Sequence, residues 1–127
     1  NQENKGNRIS DKMVKLEFEV LDKSKNLERS PEARFNTIIA GLDSKPDMYE
    51  VVTFNESDRD YNLRVYRDSQ TTSTISIERN LEENKSPLLV IVGRNDEEIK
   101  TALKRIKSIT PDIFNFKHIK EKSEDGK

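Results

Sequence analysis

Histidine occurs once in the chain, at His118, and cysteine not at all. A zinc site needs several nitrogen or sulfur ligands, and a nucleophile–histidine triad needs partners that orient the imidazole. With no second histidine or any thiolate to complete either arrangement, His118 reads as an ordinary exposed histidine. Oxygen ligands are more plentiful. Glu56, Asp58, Asp60 and Asn62 stand at alternate positions, superficially like the start of a calcium loop. An EF-hand loop requires glycine at its sixth position and glutamate at its twelfth. Counting from Asp58 places Leu63 and Ser69 there, so the stretch reads as a solvated loop.

Two suitably spaced carboxylates can hydrolyse a glycosidic bond. The candidates are Glu50, Asp58 and Asp60, all in wet segments of a chain rich in acids, which makes a small carboxylate-dependent hydrolase the third-ranked reading. Val92-Gly93-Arg94-Asn95 holds one glycine and is no phosphate loop. An anion at the helix start that follows would meet Asp96, Glu97 and Glu98. No catalytic residue, metal or cofactor is therefore expected. Asn55-Glu56-Ser57 matches the glycosylation acceptor pattern, which matters only in a eukaryotic secreted chain.

Two groups of residues suit binding instead. Lys100, Lys104, Lys107, Lys117 and Lys120 belong to a segment, 100 to 122, with seven basic and two acidic residues and with Phe114 and Phe116 interleaved. Such a patch can contact nucleic-acid phosphates or an anionic membrane surface. Its plainer reading is a lysine-rich solvent face. The second group is Arg64, Tyr66, Thr74, Ser76 and Glu78, expected on the open face of a sheet. Phe54 and Tyr61 add aromatic surface that can stack on bases or sugars, although strand aromatics more commonly pack.

The elements that position these residues follow from periodicity. Leu, Ile, Val and Phe make up 32 of 127 residues, about a quarter, which is enough for a folded core despite 37% charged residues. A net charge of −1 gives no global attraction for polyanions. No apolar run reaches the ~18 residues that a membrane helix needs. One domain is expected over 13–110, preceded by a polar linker or tether, 1–12, and followed by a partly ordered charged tail, 111–127.

Val14, Leu16, Phe18 and Val20 alternate with Lys15, Glu17 and Glu19, which signals a strand with one buried face. Ser30-Pro31-Glu32 opens a helix with an N-cap, a proline at its first position and an acid at its positive end. Phe35, Ile38, Ile39 and Leu42 form its apolar stripe, and the helix should end near Gly41 to Ser44. Strands are expected within 48–54, 61–67 and 73–78, the second setting Tyr61, Leu63 and Val65 opposite Asn62, Arg64 and Tyr66. Leu88 to Val92 is apolar on both faces, so it should be a central strand. Asn95 followed by Glu98 resembles a capping box, and Ile99, Ala102, Leu103 and Ile106 continue as the stripe of a second helix. Ile113, Phe114, Phe116 and Ile119 are available for a last strand or turn.

The order β-α-β-β-β-β-α predicts an α+β two-layer sandwich, with a mostly antiparallel sheet of about five strands and two helices on one face. The functional expectation is a non-catalytic binding or protein-interaction domain. The polar start suits the soluble part of an exported or lipid-anchored envelope protein, which is favoured over a cytoplasmic one. A nucleic-acid-associated module using the basic group is the alternative. The partner, a protein or small ligand, has no sequence signature.

Overall fold

The computed structural model describes residues 13–26, 28–52, 62–80, 82 and 85–119. Among these, the expected linker 1–12, Phe54 to Tyr61, Lys120 and the rest of the tail are not included. The acidic positions Glu56, Asp58 and Asp60, and the Asn55-Glu56-Ser57 pattern, therefore lie outside the described residues.

Six strands and two helices follow in the order β1 (Val14–Asp22), α1 (Pro31–Asp43), β2 (Tyr49–Val51), β3 (Leu63–Asp68), β4 (Thr74–Glu78), β5 (Leu88–Gly93), α2 (Asp96–Ile109) and β6 (Phe114–His118). All strand pairs are antiparallel, in the sheet order β2-β3-β4-β5-β1-β6. The strands β2 to β5 form a meander. β1 lies between β5 and β6, so the first strand is paired on both sides by the last two. The sheet has one strand more than the sequence predicts, because Phe114–His118 joins it on the free side of β1.

Both helices pack on one face. Phe35, Ile38, Ile39 and Leu42 of α1 and Ile99, Ala102 and Ile106 of α2 share a single core with Phe18, Val20, Ile75, Ile77, Leu89 and Ile91 of the sheet. Burying each of these side chains other than Ala102 is worth about 1.5–3 kcal/mol. The helix starts are fixed locally. The Ser30 hydroxyl accepts from the Ala33 amide at 3.1 Å, and Asn95 Oδ1 accepts from the Glu98 amide at 2.9 Å. Gly41 lets α1 approach the end of α2, since a Cβ there would stand 2.9 Å from both the Ile109 carbonyl oxygen and Thr110 Cγ2.

The faces of β3 are reversed relative to the sequence expectation. Asp68 donates its amide to the Ser73 carbonyl at 3.0 Å, closing a turn that sets Arg67 opposite Thr74 and Tyr66 opposite Ile75. Ile75 faces the helices, so Tyr66 and Arg64 must do so too. Leu63 and Val65 then point the other way. Shifting a strand by one residue exchanges its two faces, and here the turn decides which set is buried.

Candidate functional site

Of the five residues expected on the open face, the structure brings Thr74, Ser76 and Glu78 together there and removes Arg64 and Tyr66. Tyr66 is fully buried, and its hydroxyl donates to Asp43 Oδ1 at 2.8 Å. The Arg64 guanidinium lies over the Tyr66 ring at 5.6 Å and reaches the same carboxylate at 3.3 Å. Both side chains thus hold the C-terminal end of α1 against the sheet. They are structural, and the expectation that they present a partner surface is corrected.

The open face can be drawn from the ladder register. One row across the strands runs Leu63, Glu78, Leu88, Glu19, Lys117; the next runs Val65, Ser76, Val90, Glu17; the third runs Arg67, Thr74, Val92, Lys15. Leu88, Val90, Val92 and Val65 are half-buried and belong to no core cluster, and Leu63 is 43% exposed. An apolar centre is therefore framed by charges of both signs. Lys15 and Glu17 stand 3.6 Å apart at one border. No described helix packs on this face.

The basic group divides. Lys100, Lys104 and Lys107 are exposed on α2, on the outside of the helix layer. Lys117 pairs across the ladder with Glu19 on the sheet's other face, so it does not extend that patch. Lys120 lies outside the described residues. His118 is exposed, with its ring 5.5 Å from that of Phe18. Among the described residues no group of three or more histidine, aspartate or glutamate side chains could hold a metal ion. Glu50 is exposed at the edge of the sheet, 3.5 Å from Arg67.

A cavity of about 310 Å³ lies where the end of α2 meets β6, lined by Lys23, Lys107, Thr110, Phe114, Asn115 and Phe116 among others. Lys23 pairs with Asp112 at its border, which holds the Asp112 carboxyl below its ordinary range.

Three buried or nearly buried charge clusters escaped sequence reading. Arg34, nearly inaccessible, donates from Nε to the Val20 carbonyl at 2.8 Å, from Nη1 to the Arg29 carbonyl at 2.5 Å and to Asp22 Oδ2 at 3.3 Å, and from Nη2 to Ser86 Oγ at 3.2 Å. Asp22 also accepts from the Arg29 amide at 2.6 Å and guanidinium at 2.8 Å. Burial raises the Asp22 pKa, but the Arg29 hydrogen bonds and the charges of Arg29 and Arg34 outweigh it and leave it lowered. The cluster ties β1, α1 and the entry to β5 together.

In the second cluster, buried Asp68 meets Arg105 of α2 at 3.1 Å, with Tyr49 beside it on β2. Burial and the Asp68 charge push the Tyr49 phenol up, against the opposing pull of Arg105. The third centres on Glu98. Its carboxylate accepts from the Arg94 amide at 2.6 Å and from the Thr72 amide and hydroxyl at 2.7 and 2.9 Å. Burial alone would raise its pKa; these donors and the Arg94 charge lower it to about 2. In a capping box the glutamate turns back to the N-cap amide. Glu98 instead bonds one residue earlier and bridges to the β3–β4 turn. Each cluster also reaches a partner distant in sequence, Ser86, Arg105 or Thr72, and those contacts have no local signature.

No described helix is long and apolar enough to cross a membrane. Comparison with protein-family models, with curated proteins and with solved structures finds no match.

Proposed function

We propose that the chain is a non-catalytic protein-interaction domain that binds through the open face of its sheet. The observation that carries this reading is the apolar centre of that face, Leu88, Val90, Val92 and Val65 with exposed Leu63 beside them. A strand apolar on both sides is characteristic of a sheet covered on both faces. β5 is such a strand, an interior one, and its own helices cover only the Leu89 and Ile91 side. An apolar core within a charged rim is the usual anatomy of a protein contact. The buried clusters support the same reading, because their charges are engaged in joining elements and are closed to a substrate.

A photo-crosslinking residue at Ser76, compared with one at Lys104, tests the assignment in an extract of the source cells. Ser76 should give a discrete protein adduct that disappears with Val90→Lys, whereas Lys104 should give none. Adducts formed from Lys104 alone would refute it. The exposed row Lys100, Lys104 and Lys107 supports a second reading, a nucleic-acid contact. Its affinity would fall steeply with salt as counterions are released. Absence of gel retardation at low salt would remove it.

A further inference from the structure

We infer that the partner of the open face is a second copy of this chain, stacked sheet to sheet about a two-fold axis that runs across the strands along the row Val65, Ser76, Val90, Glu17. This rests on the interaction-domain reading and names its occupant. A two-fold interface brings each residue against its symmetry partner or itself, so the ladder register dictates every opposition. With the axis along that row, the outer rows face each other column by column. Leu88 meets Val92 of the other copy and Val92 meets its Leu88, while Val90 meets itself, giving an apolar contact along β5; Val65 also meets itself, on the far side of the polar β4 column. Glu19 meets Lys15, twice by symmetry. Glu78 meets Thr74, a carboxylate against a hydroxyl donor.

An in-plane two-fold parallel to the strands and passing between β4 and β5 fits poorly. It sets Lys15 against Arg67, Glu17 against Val65 and Glu19 against Leu63, which pairs like charges and buries carboxylates on apolar groups. Charge arrangement of this kind selects partner and register more than it sets affinity. Two oppositions in the favoured arrangement are unfavourable: Arg67 meets Leu63 at the exposed β3 border, and Glu17 meets itself, which Lys15, 3.6 Å away within each copy, partly offsets. Sheets stacked in this way commonly rotate by about 30°, which displaces the oppositions least at Val90 and more toward the borders, where the long Lys15 and Glu19 side chains span the offset.

Sedimentation velocity on the full chain over a wide concentration range reads the dimer constant directly. The wild type should dimerise, and Val90→Lys, which sets two ammonium groups face to face, should leave a monomer with an unchanged circular dichroism spectrum. Lys15→Glu and Glu19→Lys should each weaken the dimer about tenfold, since each turns two attractions into repulsions. The double variant should recover most of the loss, and Glu17→Gln should tighten the dimer. Thermal melts of each variant report any cost to the fold separately. A wild type that stays monomeric overturns the inference, as does a double variant no better than the worse single one. If the chain is monomeric yet Ser76 still crosslinks to another protein, the interaction-domain reading stands and only the choice of partner fails.

Discussion

Replacing Glu98 with glutamine should weaken the fold at neutral pH and flatten its response to acid. The wild-type carboxylate satisfies three donors from two segments, the Arg94 amide on one oxygen and the Thr72 amide and hydroxyl on the other. Glutamine keeps a single acceptor and turns an NH2 group toward a donor. In the native state the carboxyl titrates at about 2 against an ordinary value of 4.5. Its folded pKa is thus depressed, so its stabilisation is fully present above pH 4.5 and is lost as pH falls from there to about 2. The shift corresponds to an upper bound of about 3 kcal/mol. The carboxylate is nearly inaccessible but its partner Arg94 is exposed, so solvent screens part of the interaction and the expected contribution is about 1–2 kcal/mol. Urea titrations of wild type and Glu98→Gln at pH steps from 7 to 2 measure it. The wild-type curve should fall more steeply between pH 4.5 and 2, and the two should converge at the acid end. Parallel curves across that window would refute the role given to this carboxylate.

Arg34→Met should cost about 3–5 kcal/mol in urea unfolding, because it strips a partner from inaccessible Asp22 and leaves the Val20 and Arg29 carbonyls without their donor. Gly41→Ala should cost about 1–3 kcal/mol by forcing α1 off the Ile109 carbonyl and the Thr110 methyl, seen as a lowered denaturation midpoint with unchanged slope. Tyr66→Phe should lose about 1 kcal/mol, the hydrogen bond to Asp43, while leaving crosslinking from Ser76 intact, since the ring faces the helices.

The parts of this fold that are legible in sequence are those decided within a few residues. Ser30 and Asn95 cap the helices they announce, and the alternation of β1 and β4 gives the correct faces, because a side chain's neighbours along one element are fixed by its own geometry. β3 is different. Its local pattern favours burying Leu63 and Val65, yet Asp68 finds Arg105 and Tyr66 finds Asp43, partners contributed by the helices, and the turn before Thr74 imposes the matching register. The same distance effect hides β6, a short segment with an ambiguous pattern until β1 pairs with it. On the candidate face, Thr74, Ser76 and Glu78 are readable from β4 alone. The apolar residues between them are not, because the double-sided pattern of β5 signals burial without saying whether a helix of the same chain supplies the second cover.

The seat of β1 between β5 and β6 also orders events in time. The meander β2 to β5 needs only neighbouring segments and can zip up by local contacts. β1 is made first, but its two ladders join Val14 to Gly93 and Phe18 to His118, almost the full length of the described chain. Closing loops of that length is slow. During synthesis the first strand must wait, its Phe18 and Val20 side uncovered, until nearly the last described residue has emerged. The alternating lysine and glutamates on its other side, Lys15, Glu17 and Glu19, then act as gatekeepers that discourage the waiting strand from pairing with strands of other chains.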